Sequence, residues 1–292
     1  MEDFLQPILN GILFGGLYAA VGVGLSMIFG IVKLVNLAHG DLMIVASYLT
    51  MSLVSAISFL NPWTALIIVV PVMFVVGFLI QKFLLNRVLG QGMEPPLIVA
   101  FGLSIIIQNG LLLIFSPDAR SLETPMAVQS VRVTEFFYIP VIYVVAFLVG
   151  VAVIICLHYF FKKTFLGRAI RAASDDEEAA QLMGIDTRNI YAWAMGIAIA
   201  SAAVAGTLVG TTSNFYPHTG PQYLIIAFGV IIIGGVGSMA GTLLGGFVLG
   251  LSQLLGGQFF GPGYQLLSGY LILLILLAVK PEGLLGKSGR AG

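Results

Sequence analysis

The chain has 292 residues, of which 59% are hydrophobic and only 9% charged, against about 25% charged in an ordinary soluble domain. That balance excludes a soluble globular enzyme. Thirteen Lys plus Arg match thirteen Asp plus Glu, so no basic excess points to nucleic acid and no acidic excess to a charged partner surface.

The few charges are placed unevenly. They leave five stretches with none: Phe4 to Val32, Leu42 to Gln81, Pro95 to Pro117, Phe136 to Phe161 and Asn189 to Val279. A charged side chain at mid-bilayer costs about 2.5 to 3.5 kcal/mol on insertion scales, so repeated membrane crossing requires such stretches. The pattern predicts an all-α polytopic membrane protein.

Met1 to Phe4 carries no positive region, and no small-residue cleavage site follows the first apolar run. Residues 5–31 are therefore expected to stay as a membrane span. The second stretch is broken at Asn61-Pro62, where proline lacks a backbone donor, which predicts segments at 42–60 and 62–81. Further segments are predicted at 96–116 and 137–161, the latter holding the single cysteine, Cys156, expected as a small buried side chain. In the last stretch, Asn214 to Pro221 and the glycines around Gly257 and Gly261 act as breaks, leaving 189–213, 222–257 and 263–279. Eight hydrophobic segments result.

Cytoplasmic loops carry the excess of Lys and Arg. With the N-terminus outside, Lys33, Lys82, Arg87, Lys162, Lys163, Arg168, Arg171, Arg188, Lys280, Lys287 and Arg290 fall inside, and only Arg120 and Arg132 fall outside. A periplasmic N-terminus and a cytoplasmic C-terminus demand an odd number of crossings, so one of the eight segments must be two. Residues 222–257 are the candidate, because as one helix they would measure about 54 Å. Their middle reads Gly234-Gly235-Val236-Gly237-Ser238-Met239-Ala240-Gly241, and each interior glycine costs up to about 1 kcal/mol in a helix. A break there either lines a solute path or serves close packing through small residues.

Residues 162–188 form the one sizeable polar stretch on the cytoplasmic side, a loop within a single transmembrane domain spanning 1–292. Ser174 is expected to cap a short helix, with Glu177 three residues on completing a capping box and the neighbouring acids facing the positive end of the helix dipole. Gly184 is expected to end that helix in a left-handed conformation.

Glu178-Ala179-Ala180, three residues and then Gly184 resemble the Glu-Ala-Ala-x-x-x-Gly loop of ABC-importer permeases. The resemblance implies that Ser174, Glu177, Glu178, Ala179, Ala180 and Gly184 belong to a coupling helix seated on a cytoplasmic ATPase. Tyr18 to Gly30 with Asn36-Leu37-Ala38-His39-Gly40-Asp41, the glycines from Gly234 to Gly246, and Pro281-Glu282-Gly283-Leu284-Leu285-Gly286 are similar to signatures of the branched-chain amino-acid importer permeases. Membership would imply a pore subunit of the inner membrane, paired with a second, related permease, two cytoplasmic ATPase subunits and a periplasmic or lipid-anchored substrate-binding protein. No cofactor is then expected on this chain, since ATP and Mg would be used by the partner ATPase.

The residues weigh against the rivals. Gly286-Lys287-Ser288 suggests a phosphate loop, but position 281 is proline where the pattern wants glycine, and no strand precedes it. His39, His158 and His218 are scattered, no His-Glu-x-x-His occurs, and catalysis and a metal site are not expected. An ion-coupled carrier would hold ionisable groups inside its bundle, and only Asp41, placed near a cytoplasmic end beside Lys33, offers one. The candidate substrate path comprises Asn36, His39, Asp41, Gly234, Gly235, Gly237 and Ser238, with Gln108, Asn109, Thr211, Thr212, Ser213 and Asn214 as further lining. An ordinary interhelical hydrogen bond, worth about 0.6 kcal/mol, competes as the explanation of each polar residue. Nothing in these residues separates leucine from another amino acid, urea or a short amide as cargo.

Overall fold

A computed structural model describes residues 2–32, 36–92, 94–132 and 138–286. In chain order its helices are α1 (Glu2–Val32), α2 (His39–Ala56), α3 (Pro62–Leu79), α4 (Glu94–Phe115), α5 (Val141–Lys163), α6 (Phe165–Asp175), α7 (Glu177–Leu182), α8 (Thr187–Thr212), α9 (Gly220–Gly234), α10 (Met239–Phe260) and α11 (Gln265–Val279). A π-helical turn, Ile80–Leu84, and a 3-10 turn, Leu85–Arg87, prolong α3. The strands β1 (Ser130–Arg132) and β2 (Tyr138–Pro140) pair antiparallel ahead of α5, so the expected fifth segment begins as a strand and turns helical at Val141.

Among the described residues, seven helical spans are long and apolar enough to cross a membrane: Leu5–Ile31, Pro62–Arg87, Glu94–Phe115, Val141–Lys163, Thr187–Thr212, Met239–Phe260 and Pro262–Val279. The predicted boundary at Asn61-Pro62 is present. Asn61 Oδ1 accepts from the backbone N–H groups of Trp63 and Thr64, each at 3.0 Å, and Thr64 Oγ1 accepts from Asn61 N, which forms a reciprocal capping box with Pro62 at the first helical position. Cys156 departs from expectation: it is exposed on α5, on an apolar surface where burial against protein is not required.

The chain divides into two compact units. The first comprises Met1–Ser26, Glu123–Ile154 and Ile225–Gly292. Small residues hold it together. A Cβ added to Gly15 would lie 2.7 Å from Phe247 Cα of α10, and one added to Gly16 would lie 2.7 Å from Phe147 Cα of α5, so α1 meets one helix on each side at near-backbone distance. Tyr18 Oη donates to Gln253 Oε1 at 2.5 Å, and Thr242 Oγ1 donates to Ser26 Oγ at 3.0 Å.

The expected break in residues 222–257 lies in this unit, between α9 and α10. It is asymmetric: α9 has 15 residues, or about 22 Å, while α10 has 22, or about 33 Å. Gly235 (φ +101°) and Gly237 (φ +75°) take conformations that L side chains rarely adopt, and Ser238 caps α10 by accepting from Gly241 N at 3.0 Å. The free carbonyls at the end of α9 find partners in the C-terminal segment. Leu284 N donates to Ile233 O at 2.8 Å, and Leu285 N donates to Gly234 O at 2.9 Å. Two motifs that lie some fifty positions apart in sequence are thus one structural object.

The second unit comprises Met27–Leu122 and Ile155–Leu224. Its centre is α8, whose Ala and Gly residues let α2 and α3 approach closely. A Cβ on Gly196 would lie 2.8 Å from the ring of Phe74, and one on Gly77 would lie 2.8 Å from Ile199 Cβ. Ser47 Oγ donates to Gly206 O at 2.8 Å, and the hydroxyls of Thr50 and Thr207 meet at 2.9 Å. Tyr48 stacks on Phe115 with ring centroids 4.4 Å apart and meets Phe215 edge-on at 4.9 Å.

Candidate functional site

Two sites of interest both lie within the second unit. The first is the polar loop. It folds as two helices rather than one. Thr164 Oγ1 accepts from Gly167 N at 3.0 Å and starts α6, whose Gly167, Ala169, Ile170 and Ala173 are buried while Arg168 and Arg171 stay exposed. Ser174 falls inside the last turn of α6 and is not a cap. Its Oγ donates to Gly30 O of α1 at 2.8 Å, so the expected capping role is corrected. Asp176 caps α7 instead, accepting from Ala179 N at 2.9 Å.

Glu177 makes no capping box either. Its Oε1 accepts from Thr187 Oγ1 at 3.2 Å and from Gln181 Nε2 at 3.3 Å, which braces α7 against the start of α8. Gly184 does end α7 in the left-handed region (φ +83°). Ile185 N reaches Ala180 O at 3.0 Å and Gly184 N reaches Gln181 O at 2.9 Å, the two bonds of a Schellman cap, which turns the chain sharply without leaving carbonyls free. Glu178 and Ala179 are exposed, and Ala180 is buried.

At that turn Leu182 and Met183 are 89% and 84% exposed. Two adjacent apolar side chains are thus held outward on a short, doubly capped helix amid charged residues. The sequence reasoning missed both. The signal was available, because they are the only large apolar pair between Asp175 and Asp186 that the helical register turns away from α8.

The second site is the turn from α1 into α2. Asn36 is buried; its Oδ1 accepts from Ala38 N at 3.0 Å, its carbonyl accepts from His39 N at 3.1 Å, and its Nδ2 donates to Met195 Sδ at 3.7 Å. His39 is buried beside it. Asp41 is fully buried, and its Oδ2 accepts from Ser104 Oγ at 2.5 Å, while Gln108 Nε2 donates to that same hydroxyl at 3.0 Å. Ser104 is the eleventh residue of α4, about 15 Å along the helix. Asp41 therefore sits at mid-height of the bundle, not near the end where the sequence reading put it.

The N-termini of α2 and α9 cross at this level. A Cβ on Gly40 would lie 2.9 Å from the carbonyl carbon of Gly220, and one on Gly220 would lie 2.7 Å from Asp41 Cα. Discontinuous helices whose ends meet inside a bundle are a recurrent setting for solute paths. Gln108 joins this cluster. Asn109 does not: it is exposed and donates to Ile105 O of its own helix at 2.8 Å. Thr211 and Thr212 bond back to Leu208 O, and Asn214 is exposed. Gly234, Gly235, Gly237 and Ser238 belong to the first unit, where they form the turn between α9 and α10 and the cap of α10. Among the described residues no cluster of His, Cys, Asp and Glu is placed to hold a metal.

The repeated apolar helices, the broken pair at α9 and α10 and the exposed apolar turn on a polar loop fit a multi-pass transport permease of the ABC class. The family profile described as the permease component of branched-chain amino acid transport systems matches residues 7–279, and the chain belongs to that family. It is 31% identical to the high-affinity branched-chain amino acid transport permease BraD of Pseudomonas aeruginosa, over 97% of this chain and 96% of that protein. It is 30% identical to LivH of Escherichia coli K12 over the same shares. Identity to LivM of that organism is 27%, over 92% of this chain and 68% of LivM. No solved structure matches.

Proposed function

We propose that this chain is one of two related permease subunits of an inner-membrane ABC importer, carrying branched-chain or chemically related amino acids inward. In this reading two cytoplasmic ATPases bind ATP and Mg and hydrolyse the nucleotide, and a periplasmic or lipid-anchored binding protein delivers the cargo. The N-terminus is periplasmic and the C-terminus cytoplasmic, as the distribution of Lys and Arg favours. The loop 162–188 faces the ATPase through α7.

The observation that carries this reading is the build of α7. Caps at both ends and the Glu177–Thr187 brace hold it rigid, so that a push on Leu182 and Met183 is passed to α8, which packs on α2 and α3. A relay of this kind converts closure of an attached ATPase into movement of the helices around Asp41. A second permease is supported by LivH and LivM both being relatives of this chain.

The test is uptake in cells whose own branched-chain systems are deleted, with this chain restored beside its neighbouring transport genes. ATP-dependent accumulation of labelled leucine, isoleucine or valine is expected. Accumulation of labelled urea or a short amide in their place would reassign the cargo. Uptake that survives loss of the ATPase genes would refute the reading.

A further inference from the structure

We propose that the end of α3 forms a binding site for the phosphate of an anionic phospholipid headgroup. A cavity of about 450 Å³ opens there, and Lys82, Arg87 and Arg188 line it together with Asn86, Gln91 and Asn189. Among the described residues no carboxylate lines it. Among the described residues none of the three cations makes an ion pair; Lys82 Nζ lies 5.4 Å from the centre of the Phe78 ring. Asp186, next to Arg188 in the fold, is committed to the start of α8, accepting from Asn189 N at 3.2 Å and Asn189 Nδ2 at 2.6 Å.

The site is built, not a chance gathering of surface charge. The π-helical turn at the end of α3 holds Gln81, 1% exposed, within hydrogen-bond reach of the cavity-lining Asn86. Gln81 Nε2 donates to Asn86 Oδ1 at 2.9 Å, and Asn86 Nδ2 donates to Arg188 O at 2.9 Å, so a buried and a half-buried amide staple the end of α3 to the first turn of α8. Gly90 (φ +82°) and Gly92 (φ +102°) then turn the chain on either side of the cavity-lining Gln91. The first turn of α8 adds the positive end of its dipole to the three cations.

The surroundings choose a lipid over a soluble anion. Lys82 is the first charge after a long apolar run, so the cavity opens where α3 leaves the hydrocarbon. Leu79, Phe83 and Leu84 are 43%, 55% and 38% exposed at the same end and offer apolar surface to acyl chains. Basic clefts between membrane helices at this depth suit phosphate-bearing headgroups. The cavity shares Leu89 and Arg188 with the neighbouring cavity that also contacts Glu177 and Thr187. An occupied site would thus stiffen the base on which α7 stands.

The experiment uses the full chain, purified with whatever partners accompany it, and measures lipid retained in native mass spectra after incubation with phosphatidylglycerol or phosphatidylcholine in micelles. Selective retention of phosphatidylglycerol is expected. Lys82→Gln with Arg87→Gln and Arg188→Gln should weaken it by roughly two orders of magnitude, at about fivefold per cation. Lys162→Gln with Lys163→Gln, at the end of α5, should leave it intact. If the triple variant does not fold, Arg87→Gln alone should cost about fivefold, and Arg87→Lys with Arg188→Lys should retain binding. Equal retention of both lipids, or unchanged retention in the charge-removing variants, overturns the proposal. Displacement of the lipid by inorganic phosphate or glycerol phosphate at equal concentration would assign the cavity to a soluble anion, and loss of a co-purifying ATPase without loss of lipid would assign it to a protein interface; either result overturns it too.

Discussion

Asp41 and Ser104 meet at 2.5 Å in the middle of the second unit, a carboxylate accepting from a hydroxyl at the level where α2 begins and α4 is half complete. Asp41 Oδ1 has no hydrogen-bond partner among the described residues. A buried polar atom that loses a partner costs about 1–3 kcal/mol. Ser104→Ala is expected to destabilise the chain by that amount, read as a lower midpoint of thermal unfolding in detergent. Ser104→Thr, which keeps the hydroxyl, should recover most of it.

The crossing of α2 and α9 leaves no room for a methyl group. Gly40→Ala should impair folding, because the added carbon would meet the Gly220 backbone, which cannot move without shifting α9. Gly102→Ala, on the open face of α4 where nothing lies within 4 Å, should be tolerated. The yield of monodisperse protein after detergent extraction separates the two.

Gly235 ties the helix break to the C-terminal segment. A Cβ there would lie 2.7 Å from Gly286 Cα, and φ is +101°. Gly235→Ala should therefore lower stability. Removing residues 281–292 should lower it as well, by about 1–3 kcal/mol for the two backbone bonds to Ile233 and Gly234. If transport fell while unfolding was unchanged, the glycines would be path-lining after all.

The polar loop shows where sequence reasoning reaches and where it stops. Gly184 was legible because only a left-handed residue closes a Schellman cap cheaply, and Asn61-Pro62 was legible because cap and breaker are adjacent. The break at Gly234 to Gly241 was legible from the excess helix length, the odd number of crossings and the glycines at its middle. Ser174 was not, since Ser174, Asp175 and Asp176 can each cap a helix, and the choice was made by packing of α6 on α1, where Gly30 O takes the Ser174 hydroxyl. The depth of Asp41 was hidden for the same reason: its height depends on α4, far away in sequence. Replacing Asp176 with Ala should cost about 1 kcal/mol of local stability and raise amide exchange in α7. Ser174→Ala should leave α7 exchange unchanged.

In the proposed importer α7 transmits the work of a cytoplasmic ATPase. The most direct measurement is co-purification of the ATPase subunits, together with labelled leucine uptake, in a Leu182→Asp and Met183→Asp variant. Both side chains are exposed and make no contribution to the packed interior, so the variant should reach the membrane at the normal level, lose its ATPase and lose uptake. An unchanged complex with unchanged uptake would contradict the account.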